Sequence, residues 1–351
     1  MLTRVTFAAL AVCLGAVAAA RAADPQPYRV LQKHEVGGEG RWDYLIVDAE
    51  ARRLYVTRQT HVMVLDADSG KVGGDIPDTD GVHGVALAPE FGRGFTSNGR
   101  ANTATIFDLK TLKAIDTVKT GENPDAILFD PFTKRVFTFN GRSKDATAFD
   151  PESGKVLGTI PLEGKPEFGV SDGKGQVFVN IEDKSEVVRI DPKELKVTAR
   201  WPLAPGEEPS GLALDAKNRR LFSVCGNEKM VVLDADSGKV VTTVPIGKGP
   251  DAAAFDPETG YAFSSNGDAT LTVVHEDDPA HFTVAQNVET QRGARTMALD
   301  LKTHKVFLST ARFEAPTSAP ATSAPTTGRS RPTPVPGSFT IVVVGREAAR
   351  E

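Results

Sequence analysis

A repeated strand–turn–strand segment limits this chain's possible folds more than any other feature. It reads PDAAAFDPETGYAFSSNG at Pro250–Gly267, and returns as PDAILFDPFTKRVFTFNG at Pro124–Gly141 and PSGLALDAKNRRLFSVCG at Pro209–Gly226. Looser copies begin at Trp42, Val82, Pro166 and Ala294. Runs of β-branched and aromatic residues between Gly, Pro, Asn and Asp are typical of short strands joined by turns. The repeat therefore predicts an all-β chain.

The spacing of the repeats predicts the architecture. One acidic or small residue ends the first strand of each unit: Asp48, Ala88, Asp130, Asp172, Asp215, Asp256 and Asp300. An aromatic residue recurs in the second strand: Tyr55, Phe95, Phe137, Phe178, Phe222, Phe263 and Phe307. A period near 40 residues with four strands per unit is typical of propeller blades. We therefore expect one domain, a seven-bladed β-propeller of four-stranded blades over residues 23–347.

The two ends of the repeat array predict how the ring closes. The last unit has strands at Thr296–Leu299, Val306–Ser309 and Phe339–Val344, but no fourth strand follows. The segment Tyr28–Val36 precedes the first unit and reads as an outer strand without a blade. Pairing these segments would complete the last blade and remove exposed sheet edges.

Three segments lie outside the repeat pattern. Residues 1–22 read as a signal peptide, with Arg4 before an apolar run and a small-residue cleavage site ending at Ala22, so a periplasmic or secreted protein is expected. Glu314–Ser338 is rich in Pro, Ser, Thr and Ala, which predicts a disordered loop inserted in the last blade, as a tolerated insertion or as a flap. Residues 348–351 form a tail.

Composition excludes several classes of function. The net charge of −5 becomes −7 once Arg4 and Arg21 leave with the signal, and no basic cluster is present, so nucleic acid is not an expected partner. No second stretch has transmembrane length, so the mature chain should carry no membrane span, and a monomer is expected. Cys225 is the only cysteine after the signal, so no intrachain disulfide can form, and Cys-x-x-Cys-His is absent.

The residue at the start of each first strand should face the mouth of the central channel. This column reads Asp43, His83, Asp125, Glu167, Ser210, Asp251 and Arg295. Crowded carboxylates repel one another unless a cation bridges them or some bind protons. We therefore predict a ligand site at Asp43, His83, Asp125, Glu167, Asp251 and Arg295, with Asp125, Glu167 and Asp251 as candidate ligands of a divalent cation such as Ca²⁺, Mg²⁺ or Mn²⁺. The alternative is a solvated network paired with Arg295 or Arg41.

Other motifs have structural interpretations. Asn98-Gly99, Asn140-Gly141 and Asn266-Gly267 are read as two-residue hairpin turns. Gly169–Gly173 matches G-x-S-x-G but lacks the strand-to-helix setting of a nucleophile elbow. Asp66–Lys71 and Asp234–Lys239 resemble part of a calcium loop but read better as tight turns. Trp42, Tyr44 and Phe168 beside the mouth are expected to pack between blades or to stack on a ligand.

The chain resembles the YVTN/YncE-like family of exported bacterial β-propellers. The signature tetrapeptide stands as Tyr55-Val56-Thr57-Arg58, with degraded copies at Phe95–Asn98, Phe137–Asn140 and Phe263–Asn266, and the family's Pro-x-Gly-x-Ala opening is matched at Pro209–Ala213. The resemblance covers essentially the whole mature chain and implies a seven-bladed propeller. Its asparagine is replaced by Arg58, Ile181, Cys225 and Thr310 in the other units, so a uniform ring of asparagine ligands is not expected.

Three functions remain open from the sequence. The preferred one is an exported, non-catalytic propeller that binds a small ligand, a cation or a protein partner at its channel mouth. The second is a metal-dependent hydrolase similar to the gluconolactonase/SMP-30 group, whose matching residue types here are Asn140, Asp125, Glu167 and Asp251; that group has six blades. The third, a redox accessory propeller, is weakened by the missing haem motif and by only six histidines.

Overall fold

The structure, a computed structural model, describes residues 26–314 and 333–347. These residues form 28 strands in seven four-stranded antiparallel sheets. In the described ranges the helical segments are two short 3-10 turns, Pro89–Phe91 and Glu182–Lys184, and none could span a lipid bilayer. The predicted signal peptide, most of the Pro-rich insertion and the tail lie outside the described residues.

The first three blades are consecutive along the chain, each running outward from its innermost strand. Blade 1 contains β2 (Leu45–Asp48), β3 (Arg53–Thr57), β4 (Val62–Asp66) and β5 (Val72–Ile76). Blade 2 contains β6 (Val82–Ala88), β7 (Arg93–Asn98), β8 (Thr103–Asp108) and β9 (Ala114–Lys119). Blade 3 contains β10 (Pro124–Asp130), β11 (Arg135–Asn140), β12 (Asp145–Phe149) and β13 (Val156–Pro161).

The next three blades repeat the arrangement. Blade 4 contains β14 (Pro166–Ser171), β15 (Val177–Ile181), β16 (Glu186–Asp191) and β17 (Lys196–Pro202). Blade 5 contains β18 (Pro209–Asp215), β19 (Arg220–Cys225), β20 (Lys229–Asp234) and β21 (Val240–Pro245). Blade 6 contains β22 (Pro250–Asp256), β23 (Tyr261–Asn266), β24 (Thr270–Asp278) and β25 (His281–Glu289).

Blade 7 joins the two ends of the chain. It contains β26 (Thr296–Asp300), β27 (Lys305–Thr310) and β28 (Thr340–Gly345), and its outer strand is β1 (Arg29–Glu35). β1 pairs antiparallel with β28 from Arg29 opposite Gly345 to Glu35 opposite Thr340. The predicted seven blades and their closure by the N-terminal strand are confirmed.

The core lies between neighbouring blades. The second and third strands are buried on both faces, which explains their continuous apolar runs such as VVVG in β28 and MVVL in β20. The predicted aromatic column is at most 1% exposed in every blade. Consecutive first strands contact one another around the ring, and β2 contacts β26, so these strands surround a central channel.

The acidic residues that end the first strands, on which the repeats were aligned, also link neighbouring blades. Asp300 forms an ion pair with Arg52 of blade 1 at 2.6 Å. Asp172 forms one with Arg219 of blade 5 at 2.9 Å. Ser171 of blade 4 donates a 2.5 Å hydrogen bond to Asp130. These contacts join the turn between the first two strands of one blade to the preceding blade.

The part of the insertion that the structure describes is held at its base. Glu314 donates its backbone N–H to the carbonyl of Thr333 at 3.0 Å, and Val335 donates to Arg312 at 2.8 Å. Residues 315–332 lie outside the described part of the chain, so the expectation of disorder remains a prediction.

Candidate functional site

The channel-mouth column stands at an irregularity in the sheets. In five blades, pairing of the first and second strands shifts register just after the opening residue, as between Val82 and Val85 or Pro124 and Ile127. The shifts place His83, Asp125, Glu167, Ser210 and Asp251 in or beside β-bulges. A bulge releases a residue from regular alternation and redirects its side chain. Blades 2 to 6 therefore each contribute one irregular residue to the mouth, whereas the pairing in blades 1 and 7 is regular.

Hydrogen bonds between adjacent blades fix the backbone of these residues. The N–H of Tyr44 donates to the carbonyl of His83 at 3.1 Å, so blades 1 and 2 are joined directly at the mouth. The hydroxyl of Ser97 accepts the N–H of Gly84 at 2.9 Å and donates to the carbonyl of Asp125. Ser265 likewise donates to the carbonyl of Arg295. The second-strand serines therefore position mouth residues of the following blade.

Three side chains from blades 1 to 3 meet at one side of the mouth. His83 Nδ1 lies 2.6 Å from Asp43 Oδ2 and 3.8 Å from Asp125 Oδ1. One ligand atom from each of the three residues lies within 4.8 Å of the others, and this is the one such group in the described ranges. The Asp125 side chain is 16% exposed and the other two about twice that. The triad is thus partly exposed to solvent.

The charges within the triad strongly affect the pKa values of His83 and Asp125. Burial acts to lower the pKa of His83, but the hydrogen bond to Asp43 and the charge of Asp125 outweigh it and raise that pKa to about 9. Burial raises the pKa of Asp125 above its usual range, and the charge of His83 opposes this only in part. The imidazole is therefore protonated at neutral pH and compensates carboxylates that desolvation disfavours.

A second group extends the site into blade 4. The Glu167 side chain is 10% exposed, and its Oε1 lies 2.6 Å from Lys165 Nζ, which also pairs with Glu182. Burial and then the charge of Asp125 raise the pKa of Glu167, although Lys165 acts in the opposite direction. Asp125 and Glu167 thus disfavour each other's ionised form, and a bound cation would relieve this cost.

Asp251 and Arg295 form a third pair. Arg295 Nε lies 3.3 Å from Asp251 Oδ2, and the charge of Asp251 is the main cause that raises the pKa of Arg295. Part of the predicted alternative, pairing with Arg295, is therefore present. The side chain of Arg41 has no ion pair among the described residues.

The structure groups the predicted site residues differently from the proposed metal set. The ligand atoms that come together belong to Asp43, His83 and Asp125, whereas Glu167 pairs with Lys165 and Asp251 with Arg295. Sequence reasoning did not anticipate Lys165 and Glu182 as partners in the group around Glu167. In the five blades that carry a bulge, the sequence indicates it only through the neighbouring glycines and prolines.

The asparagines beside the mouth are structural, though not as two-residue turns. Asn98 is 1% exposed, and its side chain bonds Thr96, Thr103 and Thr105 across β7 and β8. Four residues, 99–102, separate those strands. The side-chain amide thus adds hydrogen bonds between the ends of the two strands, beside the backbone pairing of Asn98 with Thr103. Asn140 and Asn266 make the same type of contact with Thr147 and Thr272.

The remaining motifs are also accounted for by structure. Asp66 Oδ1 accepts the N–H of Ser69 at 2.8 Å, as Asp234 does from Ser237, so both calcium-like segments are capped turns. Ser171 of the G-x-S-x-G match bonds Asp130 in the turn away from the mouth. Cys225 is fully buried, and burial raises the pKa of its thiol to about 11.

Aromatic side chains line the mouth on its channel side. The rings of Tyr44 and Phe168 lie 5.5 Å apart between centroids, and Trp42 instead contacts Phe339 at 5.1 Å within the junction of blades 1 and 7. Packing between blades therefore accounts for Trp42. Tyr44 and Phe168 stand beside Asp43 and Glu167 at the channel.

Comparison with known proteins identifies the fold. No protein-family model matches the chain, and no curated protein sequence matches it. Among solved structures, hydrazine synthase from Kuenenia stuttgartiensis aligns with 15% identity over 79% of this chain and 94% of that chain, with a TM-score of 0.67.

Two other solved structures align over more of the chain. U3-55K has 9% identity over 91% of this chain and 99% of that chain, with a TM-score of 0.72. The WD40 repeats of RRP9 have 9% identity over 92% and 99%, with a TM-score of 0.71. Similarity at such low identity shows the fold alone: this chain is a seven-bladed β-propeller.

Proposed function

We propose that this protein is an exported, non-catalytic propeller of the YncE-like type that binds a cation at its channel mouth. The observation that carries the proposal is the convergence of Asp43, His83 and Asp125, whose ligand atoms lie within 4.8 Å of one another. Export is supported by the signal-like residues 1–22, and the family by the tetrapeptide at Tyr55–Arg58.

The charges around the triad favour a cationic ligand over an anion. Asp43, Asp125, Glu167 and Asp251 surround a small opening, and Glu182 adds a fifth carboxylate through Lys165. The cations that face them are His83, Lys165 and Arg295. A divalent metal that displaced the imidazole proton would place two positive charges, instead of the one on His83, among these carboxylates.

The donor atoms favour a transition metal over calcium. Two carboxylate oxygens and one imidazole nitrogen suit Mn²⁺, Co²⁺ or Zn²⁺, whereas Ca²⁺ prefers six to eight oxygen ligands. The sequence-based suggestion of Ca²⁺ rested on carboxylates alone, so His83 changes the expected preference.

Metal titration of the purified protein tests this proposal. After treatment with chelator, calorimetry with Mn²⁺ or Zn²⁺ should give one site, and Asp43→Asn or Asp125→Asn should weaken it by roughly 100-fold or more, beyond the 10–100-fold typical of an outer-shell partner. Asp116→Asn, an exposed carboxylate on β9, is the matched control and should bind normally. Absence of cation binding, or equal loss in the control, would contradict the proposal.

A metal-dependent hydrolase is the second candidate because the triad would leave coordination positions open for water and substrate. Glu167, raised in pKa and close to Asp125, has the character of a general base. The seven blades differ from the six of the gluconolactonase group. A panel of lactones with added Mn²⁺ or Zn²⁺ tests this candidate, and turnover should vanish in Glu167→Gln; no turnover with any lactone would remove it.

A further inference from the structure

An apolar cavity lies in the channel next to the charged mouth. Its volume is about 240 Å³, and its walls come from the first strands of blades 1 to 4. Tyr44, Ile46, Leu87, Leu128, Phe129 and Phe168 are among the lining residues. No charged side chain lines it, so a hydrated metal ion would gain nothing from entering, whereas a hydrocarbon group would be removed from water.

The cavity and the acidic mouth meet at Tyr44. This side chain lines the cavity, and it directly follows Asp43 in the chain. Phe168, which lines the same cavity, likewise follows Glu167. Two of the mouth carboxylates therefore adjoin the aromatic wall of the cavity.

We propose that the natural ligand is a small organic cation, with an ammonium head at the carboxylate rim and an apolar body in the channel cavity. The inference rests on the proposed binding of a cation at the mouth and changes its chemical class: the three donor atoms alone favour a metal, whereas the adjoining apolar cavity favours an organic cation. Carboxylates exclude an anionic head, and the faces of Tyr44 and Phe168 offer cation–π contacts. The cavity is smaller than the 300–1,000 Å³ typical of drug-sized ligands, so the apolar body must be short.

A series of linear primary amines tests the inference on metal-free protein. Methylamine, propylamine, pentylamine and hexylamine are titrated by calorimetry at pH 7, where all are protonated, with the equivalent alcohols as neutral controls. Affinity should rise about fourfold for each added CH₂ until the cavity is full, as expected for burial of a methylene group. The alcohols should bind at least tenfold more weakly than the amines of equal length.

Variants of one cavity residue give effects of opposite direction. Leu128→Phe should fill the cavity and end the rise in affinity at a shorter amine, whereas Leu128→Ala should extend it to a longer one. Methylamine affinity should change less than twofold in both. Leu301→Ala, a 50% exposed leucine in the turn after β26, is the control and should leave the whole series unchanged.

The outcomes separate this inference from the broader proposal. If methylamine or a metal binds but affinity does not depend on chain length, or if the Leu128 variants do not shift the series, the organic-cation inference is overturned while cation binding stands. If alcohols bind as tightly as amines, the charged rim has no role and the inference also fails. If neither metals nor amines bind, the proposed function itself is wrong.

Discussion

At the scale of single residues, polar groups buried without full compensation stand out from the regular scaffold. Glu276 in β24 is 8% exposed, and one of its carboxylate oxygens has no hydrogen-bond partner among the described atoms. Burial raises the pKa of Glu276 to about 7, and the charge of Asp215 adds to the effect, while a hydrogen bond from Asn218 opposes it. Folding therefore favours the protonated form of this side chain.

The raised pKa predicts that Glu276 costs stability at alkaline pH. Below the unfolded pKa near 4.5 both states are protonated, so no cost arises; the cost grows as pH rises to about 7 and is then constant. Glu276→Gln should therefore increase the free energy of unfolding by about 1–3 kcal/mol at pH 8 and leave it nearly unchanged at pH 4.5. Urea denaturation at both pH values measures this difference.

Glu289→Gln is the control, because Glu289 is exposed on β25 and its substitution should change the free energy of unfolding by less than about 0.5 kcal/mol. Equal stabilisation by Glu276→Gln at both pH values would show that the side-chain charge is not the cause.

At the scale of elements, the link between blades 7 and 1 combines a strand and an ion pair. Arg52, in the turn between β2 and β3, pairs with Asp300 at the end of β26, and the Asp300 side chain is fully buried. A second pair joins Arg52 to Asp68 at 2.7 Å. The arginine is thus the partner that compensates a buried carboxylate across the closing junction.

Removal of this partner should weaken the junction. Arg52→Ala should lower the free energy of unfolding by about 2–4 kcal/mol, because it leaves the Asp300 carboxylate buried without its counter-charge. Arg100→Ala is the matched control: its pair with Asp80 is 60% and 50% exposed, so less than about 1 kcal/mol should be lost. Equal losses from thermal or urea denaturation would contradict the assigned role of Asp300.

Elements were also the scale at which sequence reasoning succeeded best. Strand positions, the aromatic column and the identity of each outer strand follow from patterns local to each unit, and they match the structure. The contacts inside the mouth could not be predicted in the same way. They depend on how far each bulge turns a side chain, as for His83, which meets Asp43 of one neighbour and Asp125 of the other.

At the scale of the whole molecule, closure depends on one strand. β1 supplies the outer edge of blade 7 and buries Tyr28 against Phe263 of blade 6, with ring centroids 5.3 Å apart. A variant that begins at Gly37 should therefore expose the edge of β28 and form oligomers or aggregates. Size-exclusion chromatography measures this, with a variant that begins at Gln26 as the control.

A synthetic peptide of residues 26–36 added to the truncated variant should restore the monomer. If the truncated variant remains monomeric and as stable as the control, β1 is dispensable, and closure of the ring does not depend on this strand.

The pairing of β1 with β28 also sets an order of events during biosynthesis. Arg29 and Gly345 lie opposite each other in the paired strands but stand at opposite ends of the repeat array. β1 therefore cannot pair until β28 has been synthesised, whereas the other six blades form from consecutive strands. A ribosome that stalls before residue 340 would release a ring with an unmatched strand at each side of the gap, which is the form that quality-control proteases and chaperones are suited to capture.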